Sequence, residues 1–173
     1  EAFYVLEGTL TVIVEGRETQ VHSGSFAWAP RHRWHRFTNR TDRPVRFLVA
    51  MIPAGMDAVF RATSLAIPPG TIIAPPMPES AGEALGAAMF AAGIDFDQTA
   101  APRGEPTSQA YVRSTSQGEV LSLVGDVYHL LATGADTDGQ LYLHEAVVPP
   151  GSGPPMHRHA REDEAFYVLE GTL

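Results

Sequence analysis

The 173-residue chain carries 12 Lys and Arg against 20 Asp and Glu, a formal charge of −8, 44% hydrophobic residues and no cysteine. That bounds it to one compact domain with an ordinary core, or one domain with a small appendage, and excludes thiol nucleophiles, disulfides and Cys-ligated metals. The acidic balance argues against a duplex-binding surface, which needs clustered positive charge, so nucleic acid is not an expected partner.

Residues 1–53 are short β-branched and aromatic segments separated by turn residues, the pattern of a β-sandwich or small barrel. Val12 and Val14 alternate with Thr11 and Ile13, Glu15-Gly16 and Ser23-Gly24 read as turns around a short strand at 20–22, and WHRFTN and PVRFLVAMI supply two more strands. From residue 54 the pattern turns helical, with Met56, Val59, Phe60 and Leu65 near a 3.6-residue period. A Pro/Gly-rich stretch at 67–78 reads as an extended crossing, 79–94 as a second helix closed by Gly93, and 95–108 as a polar linker. Strands resume at 119–124, 127–133 and 140–148, with Gly125-Asp126 and the 134–139 loop, which contains DTDG, as turns. Strands and two helices without βαβ alternation point to an all-β antiparallel barrel or jelly roll. The most apolar run, 47–60, is broken by Pro53, Gly55 and Asp57, and no stretch reads as a signal peptide, so a cytoplasmic protein with no membrane partner is expected.

Residues 1–10 read EAFYVLEGTL, and so do residues 164–173. The non-redundant length is therefore 173 − 10 = 163 residues, and without the second copy's two Glu the charge is −6.

The segment GSGPPMHRHAREDEAFYVLEG places His157 and His159 two apart and Glu164 five residues later. On a strand, i and i+2 point to the same side, and a second strand after the 160–163 turn would return Glu164 toward them. Gly151, His157, His159, Glu164 and Gly171 match every spacing of G(X)5HXH(X)3-4E(X)6G, and Gly24, Pro30, His35 and Asn39 match G(X)5PXG(X)2H(X)3N, with His32 standing where that motif has Gly. With these two motifs the chain resembles the cupin family. The resemblance implies a double-stranded β-helix formed by residues 1–53 and 109–173, a helical extension at 54–94 and a linker at 95–108. It also implies one mononuclear divalent transition metal, Fe, Ni, Mn, Cu or Zn, held by His157, His159, Glu164 and His35.

In the family the HXH motif comes first; here it comes second, as a circular permutation would leave it. Glu1 is then the twin of Glu164, and three outcomes are open: the first copy of the decapeptide fills the barrel strand and Glu1 is the ligand; the second copy fills it; or strands exchange between chains of a homodimer. Phe166 and Val168 share the strand parity of Glu164 and, with Phe37 beside His35, are candidate pocket walls for which barrel core is the favoured reading; Trp28, Met51 and Tyr142 are further wall candidates. His129 and His144 lie in apolar strands, where a structural role outweighs a catalytic one, and His22 and His32 sit in turns. RHRWHR at 31–36 reads as a solvated loop, or as an attractor for an anionic substrate at the mouth. The helical extension and the motifs resemble the quercetin-dioxygenase-like cupins, implying oxygenation of a small apolar or aromatic substrate whose enolic or phenolic proton passes to Glu164 or Glu1. A redox-neutral metalloenzyme (isomerase or hydrolase) and a non-catalytic binding module are the alternatives.

Overall fold

Four strands follow one another in the first 28 residues: β1 (Ala2–Glu7), β2 (Thr9–Val14), β3 (Arg17–His22) and β4 (Ser25–Trp28). β2 and β3 are joined by Glu15 and Gly16, both left-handed (φ 48° and 80°), the two-residue turn whose twist matches the strands it links. The computed structural model describes residues 1–71, 75–76, 81–99 and 104–172. Among these the chain continues as β5 (His35–Thr38), β6 (Arg46–Ala50), helices α1 (Met56–Thr63) and α2 (Ala81–Ala91), β7 (Tyr111–Ser114), β8 (Val120–Leu123), β9 (Asp126–Ala132), the short α3 (Gly134–Thr137) and β10 (Leu143–Val147).

The strands form three sheets with antiparallel pairing throughout, in the orders β6-β1-β4-β7, β3-β2-β5 and β10-β9-β8. The first is the middle layer. Alternation sends Phe3, Val5 and Ala27 to one face, where they meet Leu10, Val12 and Val21 of the second sheet. It sends Ala2, Phe26 and Trp28 to the other, where they meet Leu131 and Ala132 at the end of β9. A strand covered on both sides has no polar face to offer, and all four residues of β4 are buried. Three stacked antiparallel sheets with a few helices are the all-β architecture the sequence predicts.

A polar link supports the apolar one. Arg113 on β7 donates from Nη1 and Nη2 to the two carboxylate oxygens of Asp136 (2.9 and 3.2 Å) and from Nη1 to the Leu131 carbonyl at 3.1 Å. Asp136 also accepts from the Thr133 backbone N–H, while its own N–H donates to the Thr133 hydroxyl, a reciprocal cap. That cap makes the 134–139 segment, expected as a loop, begin with a helical turn instead: Thr133 supplies the capping hydroxyl and Asp136 the returning carboxylate.

α1 and α2 pack on each other, and Val59 is the buried residue of α1. α2 ends as expected at Gly93 (φ 89°), where the Ile94 N–H closes on the Met89 carbonyl. Residues 72–74 and 77–78 of the expected crossing, 79–80 of the expected helix, 100–103 of the linker and Leu173 lie outside the described residues. Among the described residues no helix is long and apolar enough to cross a membrane.

One expectation is overturned. Residues 157–159 and 164–172 form no strand, and Phe166 and Val168, placed in the pocket by strand parity, are 75% and 45% exposed. The cause is competition for one position. β1 pairs with β4 on one side and β6 on the other, and both neighbours are already taken by residues 2–7. An identical second segment finds the position between β4 and β6 filled and stays on the surface.

Candidate metal centre

The expected ligands fall into two groups. His35 at the start of β5 faces Glu1, immediately before β1, with Nε2 3.4 Å from the carboxylate and both side chains about a quarter exposed. Burial opposes ionisation of Glu1, but the hydrogen bond and charge of His35 outweigh it and hold the carboxyl below its ordinary value. On the surface, His157, His159 and Glu164 converge, with one donor atom from each lying within 4.8 Å of the others. Here Glu164 Oε2 is 3.9 Å from His157 Nε2 and 3.5 Å from His159 Nε2, and the imidazoles stand edge to face at 5.1 Å. Glu162 reaches His159 Nδ1 at 3.6 Å.

The two groups share a feature that suits metal ligation. Nδ1 of His35 lies 2.7 Å from the Arg33 carbonyl, and Nδ1 of His157 lies 2.9 Å from the Pro155 carbonyl. A carbonyl only accepts, so Nδ1–H is the donor and Nε2 is the nitrogen turned toward the carboxylate, where it can ligate a metal or donate to the carboxylate. Ligand atoms about 2.1 Å from one metal at right or tetrahedral angles stand roughly 3.0–3.4 Å apart. The His–Glu separations of 3.4, 3.5 and 3.9 Å need only slight contraction to reach that. The residues present therefore fit a divalent transition ion.

Residues 1–51 match the family model described as Cupin domain. The match covers 51 of the 173 residues, so it is the segment from β1 to β6 that is similar to a cupin domain. No curated protein matches it. Both halves of the cupin motif pair are now placed, and the Gly-to-His departure is explained: His32 keeps the left-handed backbone that position demands, at φ 66°, with its ring against Gly104. Glycine would hold the same turn without strain.

The expected walls separate just as sharply. Phe37 shares the β5 face of His35 and packs edge to face on Phe47 (5.1 Å) and Phe3 (5.7 Å), still 48% exposed. Trp28 belongs to the core between the first and third sheets, its indole N–H donating to Ser108 Oγ at 2.8 Å, and Met51 is half-buried just after β6. His144 lies between the rings of Tyr128 and Tyr142 at 5.0 and 5.2 Å. Burial pushes its pKa down while the charge of Glu164 opposes, which brings His144 into the electrostatic reach of the surface group. His129 turns its Nδ1 to the Thr115 carbonyl at 3.3 Å.

Sequence reasoning passed over Tyr4 and Glu145. The Tyr4 hydroxyl donates to Glu145 Oε2 at 2.5 Å, and burial, then this carboxylate, raises the phenol well above its ordinary pKa. The pair borders a cleft of about 490 Å³ whose other walls include residues 4–7 and 167–170, the same four residues of the two decapeptide copies. The available signal was a lone carboxylate inside the apolar run LHEAVV. A cleft of similar size, about 460 Å³ beside Arg113 and Asp136, is lined by neither ligand group.

Proposed function

We propose that the chain is a metal-dependent cupin oxidoreductase of the dioxygenase type, acting on a small apolar or aromatic substrate with an enolic or phenolic oxygen. The observation that carries this reading is the pairing of imidazole with carboxylate beside aromatic walls: His35 and Glu1 next to the Phe3, Phe37 and Phe47 rings. A divalent transition ion bound here supplies Lewis acidity and open positions for substrate oxygen and dioxygen. The chain's own residues do the rest. The backbone carbonyls of Arg33 and Pro155 fix which imidazole nitrogen is free. Phe37 and Phe47 offer a ring-sized apolar surface that orients an aromatic substrate and excludes water. The glutamate carboxylate accepts the enolic or phenolic proton.

The test is metal analysis of the purified protein followed by oxygen uptake with flavonols or 1,3-diketones after loading with iron, nickel or manganese. Oxygen consumption that depends on both metal and substrate is expected, with His157→Ala losing stoichiometric metal. A protein that consumes no oxygen with any of the three metals refutes the oxygenase reading. A His157→Ala chain with full metal content refutes the ligand assignment.

A further inference from the structure

The two copies of EAFYVLEGTL compete for one strand position, and the loser is already beside it. From Ala2 to Tyr4 the first copy pairs with Trp28, Ala27 and Phe26 on β4, and from Ala2 to Glu7 with β6. The second copy carries the same side chains in the same order, so Ala165, Phe166 and Tyr167 satisfy the same register, pockets and backbone hydrogen bonds. It is exposed, and its residues 167–170 border the same cleft as residues 4–7. Exchange therefore gives up little where the second copy now lies and regains what the first copy releases.

Exchange is not neutral for the ligands. With the first copy in place, His35 has Glu1, while His157 and His159 share Glu164 on the surface. With the second copy in place, Glu164 takes the position of Glu1 against His35. His157 and His159, only seven and five residues before it in the chain and already gathered on its carboxylate, arrive with it.

We infer that the β1 position is exchangeable within one chain, and that its occupation by residues 164–173 assembles His35, His157, His159 and Glu164 into a single metal site that displaces Glu1. A divalent ion that binds the four-ligand state better than either partial set pulls the equilibrium toward it. The metal arm of this inference rests on the metal-centre reading above; the exchange arm does not.

The test uses the full chain with Phe3→Asp, Phe166→Asp and the double substitution, followed by urea unfolding and calorimetric titration with Ni²⁺ alone. Phe3 is fully buried and Phe166 is 75% exposed. If β1 had one occupant, Phe3→Asp would bury an unpaired carboxylate and unfold the barrel, and Phe166→Asp would be silent in every background. Exchange gives the opposite pattern: Phe3→Asp keeps a cooperative transition because residues 164–173 replace the damaged strand, and only the double variant loses it. Ni²⁺ binding is expected to weaken about tenfold or more in Phe166→Asp and to stay the same or tighten in Phe3→Asp, because affinity scales with the population of the competent state.

A Phe3→Asp chain without a cooperative transition, or a double variant as stable as Phe3→Asp, overturns the exchange. A Phe3→Asp midpoint that rises with protein concentration overturns its being within one chain. Equal Ni²⁺ affinity in Phe166→Asp and wild type overturns the assembled site. A wild-type chain that binds no Ni²⁺ while the unfolding pattern holds overturns the metal-centre reading and leaves the exchange standing.

Discussion

Asp136→Asn replaces one atom in the link between the middle sheet and the β8–β10 sheet, and the structure sets the size of the effect. The Asp136 carboxyl is held down to about 2 from 3.8, first by the hydrogen bonds from Arg113, against opposing burial, with the Thr133 hydroxyl and N–H adding to it. At 1.36 kcal/mol per pH unit, that fall corresponds to at most about 2.4 kcal/mol of folding stability. The two side chains are 26% and 25% exposed, so solvent screening reduces the contribution to about 1–2 kcal/mol. Because the folded pKa is depressed, this stability is fully present above the unfolded value of 3.8 and is lost as pH falls through about 2. Asparagine retains an oxygen for the Thr133 cap, so the substitution isolates the charge.

Thermal unfolding followed by circular dichroism at intervals from pH 7 to pH 2 measures this. Asp136→Asn is expected to melt roughly 2–8 °C below wild type at pH 7. The two curves should converge as the wild-type carboxylate protonates. A gap that stays constant down to pH 2 refutes the assignment of that stability to the Arg113–Asp136 charge pair.

Gly118→Ala is expected to cost about 2 kcal/mol or more in urea unfolding, because its Cβ would stand 2.1 Å from the Leu130 carbonyl oxygen, a backbone atom that cannot rotate away. Trp28→Phe is expected to lose about 1–2 kcal/mol, from the indole hydrogen bond to Ser108 and some packing volume, with Ni²⁺ affinity unchanged; a tenfold change in that affinity would return Trp28 to the pocket. His32→Gly is expected to leave stability equal or raise it by up to about 1 kcal/mol, by relieving a left-handed histidine; a clear loss would mean that the ring's packing on Gly104 outweighs the strain.

Much of the barrel was readable because its signals are local. The Glu15-Gly16 turn, the alternation through Val12 and Val14 and the Gly93 helix stop each depend on a few neighbouring residues, and each lies where it was expected. β7 escaped notice because YVRS has no alternation of its own; it is a strand because β4 offers it an edge. Trp28 was misplaced for a related reason. Strand parity gives two faces but not what covers each, and Leu131 and Ala132 of the third sheet, more than 100 residues away in sequence, make its face a core.

Composition limits the ligand types, because with no cysteine a metal would have imidazole and carboxylate, and the proposed set comes from the resemblance carried by the two motifs. What the sequence could not determine was which glutamate joins which histidines. Two identical segments have identical propensity, polarity and register, so no local rule separates them. The choice is made by pairing with β4 and β6 from elsewhere in the chain, and in this structure it goes to residues 2–7, leaving His35 with Glu1 and His157 and His159 with Glu164.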